Sequence, residues 1–540
     1  MRLFLLHLCC WFVPAVFASG VTAQESGVPI RISKETTYIT SPLRNDGTVD
    51  YVEALSRRQR EGVTAENNSV VLFRRALGHR DLSEKTTDEY FRQLGIETLP
   101  MDGQYLIDLD DFLKTLDSSE LPEPGIEIYR RERLIYNQHR EAMSRSWTRE
   151  EFPIIARCVD ANETPLNFVV EGSKRPKFFS PMLPADRSVT AALFTGWQGY
   201  RESVYVLSAR AMLRLSEGNP DAAWRDVMAC HRIARLLAQG PTAVDVLMAA
   251  SIESIACVCD DEIAHHGNLS ADQSRSNCSE LQDLGVITGM ADRLETSDRF
   301  LYFEMVFFVA AEGKNARNIP NFIFMEHREE EDTALAEFVR QSFTKGLVDV
   351  NIVLKIGNQW FDRLVVAGHL PTRIARQSEL ARLNTQLQQA IDDARTIFLN
   401  RAPVESHFVS ENVGVIFLKS QIAMVVKSFE VEDRCSMCTE LSCCAFALAA
   451  WKADHGDYPD QLNQLTPDYL KTIPIDNHTG QSLIYRRSDT GYRLYSLGVN
   501  LIDDDGFTRS DTNETDDIVI RTPDEDRRIK AVTEKRRSEN

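Results

Sequence analysis

The feature that most constrains the fold is a change in hydrophobic period at Ser188. From Ser188 onward, apolar residues recur at the helical spacing, which places them on one face of an α-helix. Helices of this kind bury their apolar faces by packing against one another. The sequence therefore predicts a central helical domain, which we place at residues 187–429.

Within this domain, Gly218-Asn219-Pro220 interrupts the helical pattern and predicts an αα-hairpin. Glycine commonly ends a helix, and proline is tolerated in the first turn of the next one. The hairpin resembles a single tetratricopeptide-type repeat, but no second copy follows at the family's period of about 34 residues, so a helical bundle is favoured. The predicted helices are Ser188–Glu217, Pro220–Ala238, Ala243–Ala264, Ala271–Leu284, Ala291–Ala311, Ala334–Trp360 and Gln377–Leu399, followed by one or two helices over Ser410–His455.

The region before this domain, residues 24–186, has no clear period. Prolines are frequent, and short helical stretches are separated by turns. Tyr105–Leu109 is apolar and β-prone after an Asp102-Gly103 turn, so we expect a strand there. We treat residues 24–186 as a mixed N-terminal region.

The first 23 residues have the pattern of a secretory signal. Arg2 precedes an apolar stretch from Leu3 to Ala18, and the small residues before Gln24 fit a cleavage site after Ala23, with Ala18 as a second candidate. The apolar stretch is shorter than the roughly 20 residues of a comfortable transmembrane helix. We therefore predict an exported protein, with an uncleaved membrane anchor as the alternative and membrane contact only in that case.

Composition and charge exclude several classes of protein. With 43% hydrophobic and 26% charged residues, the chain is neither wholly disordered nor a polytopic membrane protein. Its formal charge of −19 argues against nucleic-acid binding through bulk electrostatics. The sequence has no Walker loop, no Gly-x-Gly-x-x-Gly, no Gly-x-Ser-x-Gly and no His-Glu-x-x-His, so no catalytic residue can be assigned.

A cluster of cysteines, Cys435, Cys438, Cys443 and Cys444, lies within a helical pattern. Structural zinc sites place their cysteines in turns, so buried small apolar side chains are the favoured interpretation. A disulfide or redox pair and a metal site remain alternatives.

Glu262-x-x-His265, followed by His266, has the spacing of a di-iron helix motif. Such a centre needs a second copy and two further glutamates on facing helices, and no second copy occurs. A polar helix end, with histidines near the negative end of the helix dipole, is favoured instead.

The C-terminal sequence changes to a β pattern after a long helix that ends at Gly456-Asp457-Tyr458-Pro459. Leu483–Arg487 and Tyr492–Leu497 alternate around Asp489-Thr490-Gly491 and predict a β-hairpin. An Asp-rich loop follows Ser496-Leu497-Gly498. Carboxylates packed this densely repel one another unless a cation or solvent screens them, and calcium takes six to eight such oxygen ligands.

This order of features resembles the periplasmic domain of the major pseudopilin of type II secretion systems. The resemblance covers residues 430–521 and lies in the Gly-x-Tyr-Pro helix end, Tyr469-Leu-Lys-x-x-Pro-x-Asp476, the hairpin, Ser-Leu-Gly and the Asp-rich loop. It implies a small module of one helix and an antiparallel sheet. It also implies a calcium ion in the loop, with Asp503, Asp505, Asp516 and Asp517 as ligands.

The rest of the chain resembles a family of large secreted bacterial proteins with the same ending, whose activity is not established. The segments that carry this resemblance are Pro42–Leu55, Gly62–Leu72 and Arg210–Leu236. A bacterial origin would place the exported protein in the periplasm, in the cell envelope or outside the cell.

Together these patterns predict an α+β fold that is predominantly α. A signal (residues 1–23) and the mixed region (24–186) precede a helical domain (187–429), the pseudopilin-like module (430–521) and a mixed-charge tail (522–540) that we expect to be disordered. The expected function is non-catalytic contact with protein partners in the cell envelope. The alternative is an exported hydrolase with its active site in or beside the helical domain.

Overall fold

A computed structural model describes residues 30–122, 127–183, 197–312, 330–399, 405–489 and 491–539. The predicted signal and the predicted boundary at residues 186–187 lie outside these residues. The part of the chain that the structure describes is mostly helical, with a small three-stranded antiparallel sheet. The expected class, α+β and predominantly α, is confirmed at this level.

The helices fall into three groups along the chain. The N-terminal region contains α1 (Tyr51–Arg60), α2 (Ser69–Leu77), α3 (Thr87–Leu94), α4 (Leu109–Lys114), α5 (Ile128–Ala142), α6 (Pro153–Ala161) and α7 (Glu163–Ser173). The central part contains α8 (Trp197–Ser216), α9 (Pro220–Leu237), α10 (Ala243–His266), α11 (Ala271–Leu284), α12 (Met290–Arg293), a π-helical turn (Leu294–Asp298), α13 (Arg299–Glu312), α14 (Glu330–Thr344), α15 (Val350–Gly368) and α16 (Arg373–Leu399). The C-terminal part contains α17 (Ser406–His455), β1 (Ile484–Ser488), β2 (Gly491–Ser496), β3 (Ile518–Arg521) and α18 (Pro523–Glu539).

Side-chain caps explain where several central helices begin. The predicted αα-hairpin is α8 and α9: Gly218 takes a positive φ of 76° in the turn, and Asn219 Oδ1 accepts the N–H of Ala222 at 3.1 Å. At the start of α10, Thr242 and Asp245 form a reciprocal capping box. These local bonds satisfy amide groups that would otherwise be unpaired at the helix ends.

The long helix α17 contacts both the central helices and the sheet of the C-terminal part. It packs against α10, α11, α15 and α16 in turn, and it continues into the C-terminal module without a break. The predicted domain boundary at residues 429–430 therefore lies inside one helix. An 18-residue stretch of α17 is long and apolar enough to cross a membrane by length and composition, but 73% of it is buried inside the protein.

The cysteines of α17 belong to the core. Cys435, Cys438, Cys443 and Cys444 are all buried and all free thiols in the structure. This agrees with their interpretation as small apolar side chains, which are among the residues most often buried.

The N-terminal region shares the same hydrophobic core. Tyr51 stacks on Phe300 with ring centroids 4.5 Å apart, and Trp147 Nε1 donates a hydrogen bond to the Ala209 carbonyl at 3.0 Å. The expected strand at Tyr105–Leu109 is wrong: this segment is irregular, and α4 begins at Leu109. The Leu106 N–H bonds to the Ala76 carbonyl at the end of α2, and among the described residues no strand lies beside this segment to form a ladder.

The sheet has the order β1-β2-β3 with antiparallel neighbours. The predicted hairpin is β1 and β2, with Ser488 opposite Gly491 at its closed end. The Asp-rich loop then connects β2 to β3, which returns along the other side of β2.

The expectation of a disordered tail at residues 522–540 needs correction, because α18 occupies Pro523–Glu539. Pro523 opens the helix, and acidic residues fill its first turn, as the helix dipole favours. Ile529 is only 2% exposed, and Glu525 Oε2 forms an ion pair with Arg493 Nε at 3.2 Å. Tertiary contacts thus stabilise a helix that composition alone does not predict.

Candidate functional site

The Asp-rich loop folds back on itself between β2 and β3. Gly498, Asp505 and Gly506 have positive φ angles of 68°, 57° and 76°, which turn the chain sharply. A Cβ at Gly498 would lie 2.4 Å from the Asp516 carbonyl oxygen, so only glycine allows this close approach. The turns bring the start and the end of the loop together, as a ligand site would require.

Asp503 and Asp505 face arginines from the sheet. Arg486 donates to Asp503 Oδ2 at 2.9 Å and lies 2.7 Å from Asp505 Oδ1, while Arg493 lies 3.2 Å from Asp505 Oδ2. Tyr495 donates its hydroxyl proton to Asp503 Oδ1 at 2.9 Å. Partial burial acts to raise the pKa of Asp503, but the hydrogen bonds from the Asp505 N–H, Tyr495 and Arg486 lower it overall.

Asp516 and Asp517 are buried instead, with 4% and 0% exposure. Asp516 Oδ2 accepts the Val499 N–H at 3.2 Å, and Asp517 Oδ2 accepts the Gly506 N–H at 2.8 Å. The Oδ1 atom of each carboxylate has no hydrogen-bond partner among the described residues. Burial, with the nearby charge of Asp504, raises the pKa of Asp517 to about 7. Two buried carboxylate oxygens are therefore left without a donor.

These residues fit a calcium ion only in part as they stand. The free oxygens of Asp516 and Asp517, next to Asp504, are hard oxygen donors of the kind that calcium takes. Asp503 and Asp505 are engaged by Arg486 and Arg493. Over the described ranges, the structure holds no group of three or more His, Cys, Asp or Glu side chains already arranged for a metal. Asp504 and the two arginines were not predicted, because nothing in the local sequence pairs β1 with this loop.

A cleft of about 810 Å³ opens beside the sheet. Its walls come from α5, the C-terminal end of α10, α17, β3 and α18, so all three parts of the chain contribute to it. Both signs of charge line it, including Arg140, Glu141, Asp261, Arg434, Asp526 and Lys530.

The motif at the end of α10 lies in this cleft. His265 Nδ1 donates to the Asp261 carbonyl at 2.9 Å, so its Nε2 accepts the Tyr492 hydroxyl proton at 3.0 Å. His266 Nδ1 lies 3.1 Å from Glu262 Oε2, and this contact raises the pKa of His266. Ser146 donates to Glu262 through both its N–H and its hydroxyl, at 2.9 and 2.8 Å. These bonds fix a polar helix end, as the sequence indicates.

The free edge of β3 also faces the cleft. The Thr522 N–H bonds to the Tyr492 carbonyl at 3.1 Å. Because bonded and outward residues alternate in an antiparallel ladder, Val519 and Arg521 direct their N–H and C=O groups away from β2. Both residues line the cleft, and no backbone partner for these groups occurs among the residues that the structure describes. The cleft thus contains an open strand edge.

A second polar cluster, the His231 network, lies deep between α9, α10 and α17. His231 donates from Nδ1 to Glu253 at 2.9 Å and from Nε2 to Asp260 at 3.1 Å, and all three side chains are fully buried. Arg235 and Thr439 also bond to Glu253. Burial acts to lower the pKa of His231, but the two carboxylates outweigh it and raise that pKa to about 9. None of the three lines the cleft.

The sequence did not single out the His231 network. The one available signal is the seven-residue spacing of Glu253 and Asp260, which places both on one face of α10.

Comparison with known proteins adds no identification. No family model, no curated protein and no solved structure matches this chain. The resemblance to the pseudopilin module therefore stays a prediction from the sequence.

Proposed function

We propose that this protein is an exported, non-catalytic binding protein that contacts protein partners in the cell envelope. Its helical scaffold holds a pseudopilin-like C-terminal module in a fixed position, and an extended segment of the partner binds in the cleft between them. The observation that carries this proposal is the unpaired outer edge of β3 in that cleft.

An extended peptide can add to such an edge as a new strand. The outward groups of Val519 and Arg521 supply two donors and two acceptors, and main-chain bonds of this kind give affinity in strand addition. Exposed strand edges attract other chains unless they are short or covered. β3 is short and recessed in a charged cleft, which favours a specific partner over random association.

The side chains of the cleft support binding more than catalysis. Glu262, His265 and His266 are engaged by Ser146, Tyr492 and one another. The remaining lining carries both charges, which suits an extended segment with mixed polar side chains. The alternative, an exported hydrolase, would place its active site among these same residues.

We also propose that calcium binds the Asp-rich loop, with Asp516 and Asp517 as its buried ligands and Asp503 and Asp505 at its rim. A bound cation would satisfy the two unpaired carboxylate oxygens and relieve the repulsion among the loop carboxylates. Because the loop leads directly into β3, calcium would fix the strand edge that receives the partner.

The contact is tested by photo-cross-linking in cells that make the protein. A photoreactive residue replaces Val519 in one variant and Arg487 in the matched control, since Arg487 has outward backbone groups on the opposite edge strand, away from the cleft. We expect a discrete cross-linked protein from position 519 only. Equal cross-linking from both positions, or none from position 519, would contradict the proposal.

The hydrolase alternative is tested on the purified protein with chromogenic ester, peptide and glycoside substrates. We expect no turnover above the level of the double variant Glu262→Gln/His266→Asn. Turnover that this variant abolishes would overturn the binding proposal in favour of the enzyme.

Export and calcium have separate tests. N-terminal sequencing of the protein from the periplasmic fraction should give Gln24 or Ser19 as the first residue, and a retained Met1 would indicate the anchor. Thermal melting in calcium and then in chelator should show a rise of several degrees with calcium that Asp516→Ala abolishes. A rise that survives this substitution would remove the loop as the site.

A further inference from the structure

A small cavity far from the Asp-rich loop gathers positive charge. It measures about 180 Å³ and lies where the end of α1 and the segment at Lys177 meet the loop before α10 and the π-helical turn. Arg58, Lys177 and Arg293 line it, and Glu61 is the one acidic residue among the described residues of its lining. This concentration of cations is unexpected in a chain whose net charge is −19.

Arg293 is the half-buried member of the group. Its Nη2 donates to the Ala238 carbonyl at 2.7 Å, while its buried Nε has no hydrogen-bond partner among the described residues. Burial lowers the pKa of Arg293 and Arg58 adds to this, while Asp245, Asp292 and Asp298 oppose it. Asp245 is already engaged by Thr242 and by Trp197. Arg293 thus brings a guanidinium charge to the cavity wall, and one of its donors has no partner in the described part of the chain.

Arg58 and Lys177 complete the site from the N-terminal region. Both side chains are exposed, and over the described ranges neither forms an ion pair with a carboxylate. The neighbouring Arg57, by contrast, is paired with Glu53 at 2.6 Å. Like charges repel when they converge on one cavity, and a bound anion removes that repulsion.

We propose that this cavity binds a small oxyanion, namely a phosphate or sulfate group. Arginine suits such ligands because its planar fork donates two parallel hydrogen bonds, and lysine adds a point charge. The anion would join the N-terminal region, through Arg58 and Lys177, to the helical part, through Arg293. It would therefore stabilise the junction between these two parts of the chain.

The test is isothermal titration of the full-length mature protein with inorganic phosphate and with sulfate, at constant ionic strength against chloride. We expect binding that Arg58→Gln and Lys177→Gln each weaken by about tenfold and Arg293→Gln abolishes. The control Arg57→Gln should bind as the wild type does. Because Arg58 and Lys177 are exposed, their variants keep the test valid if Arg293→Gln fails to fold.

A second arm separates the two sources of the anion. Glycerol 2-phosphate should bind at least as tightly as inorganic phosphate if the natural ligand is a phosphate group on a larger molecule, and more weakly if it is the free ion. Either result supports the site. Absence of binding by all three anions, or equal losses in Arg57→Gln and Arg58→Gln, would overturn it.

Discussion

The His231 network and the Asp-rich loop both bury carboxylates, but they satisfy them differently. In the network, Glu253 and Asp260 share a protonated histidine, and Arg235 and Thr439 bond to Glu253 as well. In the loop, Asp516 and Asp517 each keep a buried oxygen that has no donor in the described ranges. Buried polar groups are normally paired, and this is the ground on which we propose a cation as the ligand of the loop.

The open edge of β3 extends this comparison to the backbone. Close in sequence to Asp517, Val519 and Arg521 have outward main-chain groups at the cleft with no backbone partner in the part of the chain that the structure describes. The central helices instead cap their ends with their own side chains, as Thr242 and Asp245 do. We place the binding function at two sets of unpaired groups in the C-terminal module, namely the carboxylate oxygens of the loop and the outward main-chain groups of β3.

The largest expected effect is the loss of the cation in the His231 network. His231→Leu leaves Glu253 and Asp260 buried with less compensation, and removing one partner of a buried pair costs about 3–5 kcal/mol of unfolding free energy. Urea unfolding measures this. The matched control is His266→Asn, whose ion pair is partly exposed and should change stability by about 1 kcal/mol or less. An equal loss of unfolding free energy in both variants would show that the buried contacts of His231 stabilise the fold no more than the partly exposed pair of His266.

The same network predicts a pH dependence of stability. The pKa of His231 is raised from 6.5 to about 9, so the stability it supplies is fully present below pH 6.5 and is lost as the pH rises through about 9. Unfolding free energies measured from pH 6 to pH 10 should fall in wild type and stay flatter in His231→Gln. Parallel curves for the two proteins would show that His231 is not charged in the fold.

A smaller and opposite effect is expected in the loop. Above pH 7, where Asp517 is charged, Asp517→Asn removes a buried carboxylate whose Oδ1 has no donor among the described residues, so in chelator it should raise the unfolding free energy by about 1 kcal/mol. In calcium, the same substitution should lower stability relative to wild type. Melting curves of the variant and the wild type, measured in chelator and in calcium, should show this change of sign. If Asp517→Asn lowered stability equally in chelator and in calcium, Asp517 would not be a calcium ligand.

The smallest effect belongs to Asp503. Its bonds to Arg486 and Tyr495 lie at the protein surface, so Asp503→Asn should cost about 0–1 kcal/mol in chelator. Urea unfolding in chelator should therefore show a smaller change in unfolding free energy for the exposed Asp503 than for the buried Asp517. A loss from Asp503→Asn as large as that from His231→Leu would show that the ion pairs of the loop are structural.

How far the sequence predicts this molecule depends on the range of the interaction. Local signals were sufficient for the hairpin of α8 and α9 at Gly218 and for the hairpin of β1 and β2 at Gly491. The strand expected at Tyr105–Leu109 failed because β propensity needs a neighbouring strand. Helix α18 was missed because the burial of Ile529 is a tertiary effect.

The candidate site shows the same limit. The four aspartates were found from the density of acidic residues and the resemblance of the loop. The sequence does not show that they divide into two pairs. Asp516 and Asp517 have oxygens without a partner in the described residues, whereas Asp503 and Asp505 form ion pairs with arginines. This division depends on where Arg486 and Arg493 point across the sheet, and side chains paired across strands are set by register rather than by local sequence.

Isothermal titration with calcium tests the central claim most directly. This claim is that the unpaired carboxylate oxygens of the Asp-rich loop bind a cation. Wild type should give saturable heat that magnesium does not reproduce, because a loop of this kind offers more ligands than the octahedral ion takes. The heat should disappear in Asp517→Asn and persist in Asp454→Asn, which alters a carboxylate outside the loop. No calcium heat in wild type, or equal heat in Asp517→Asn, would contradict the account.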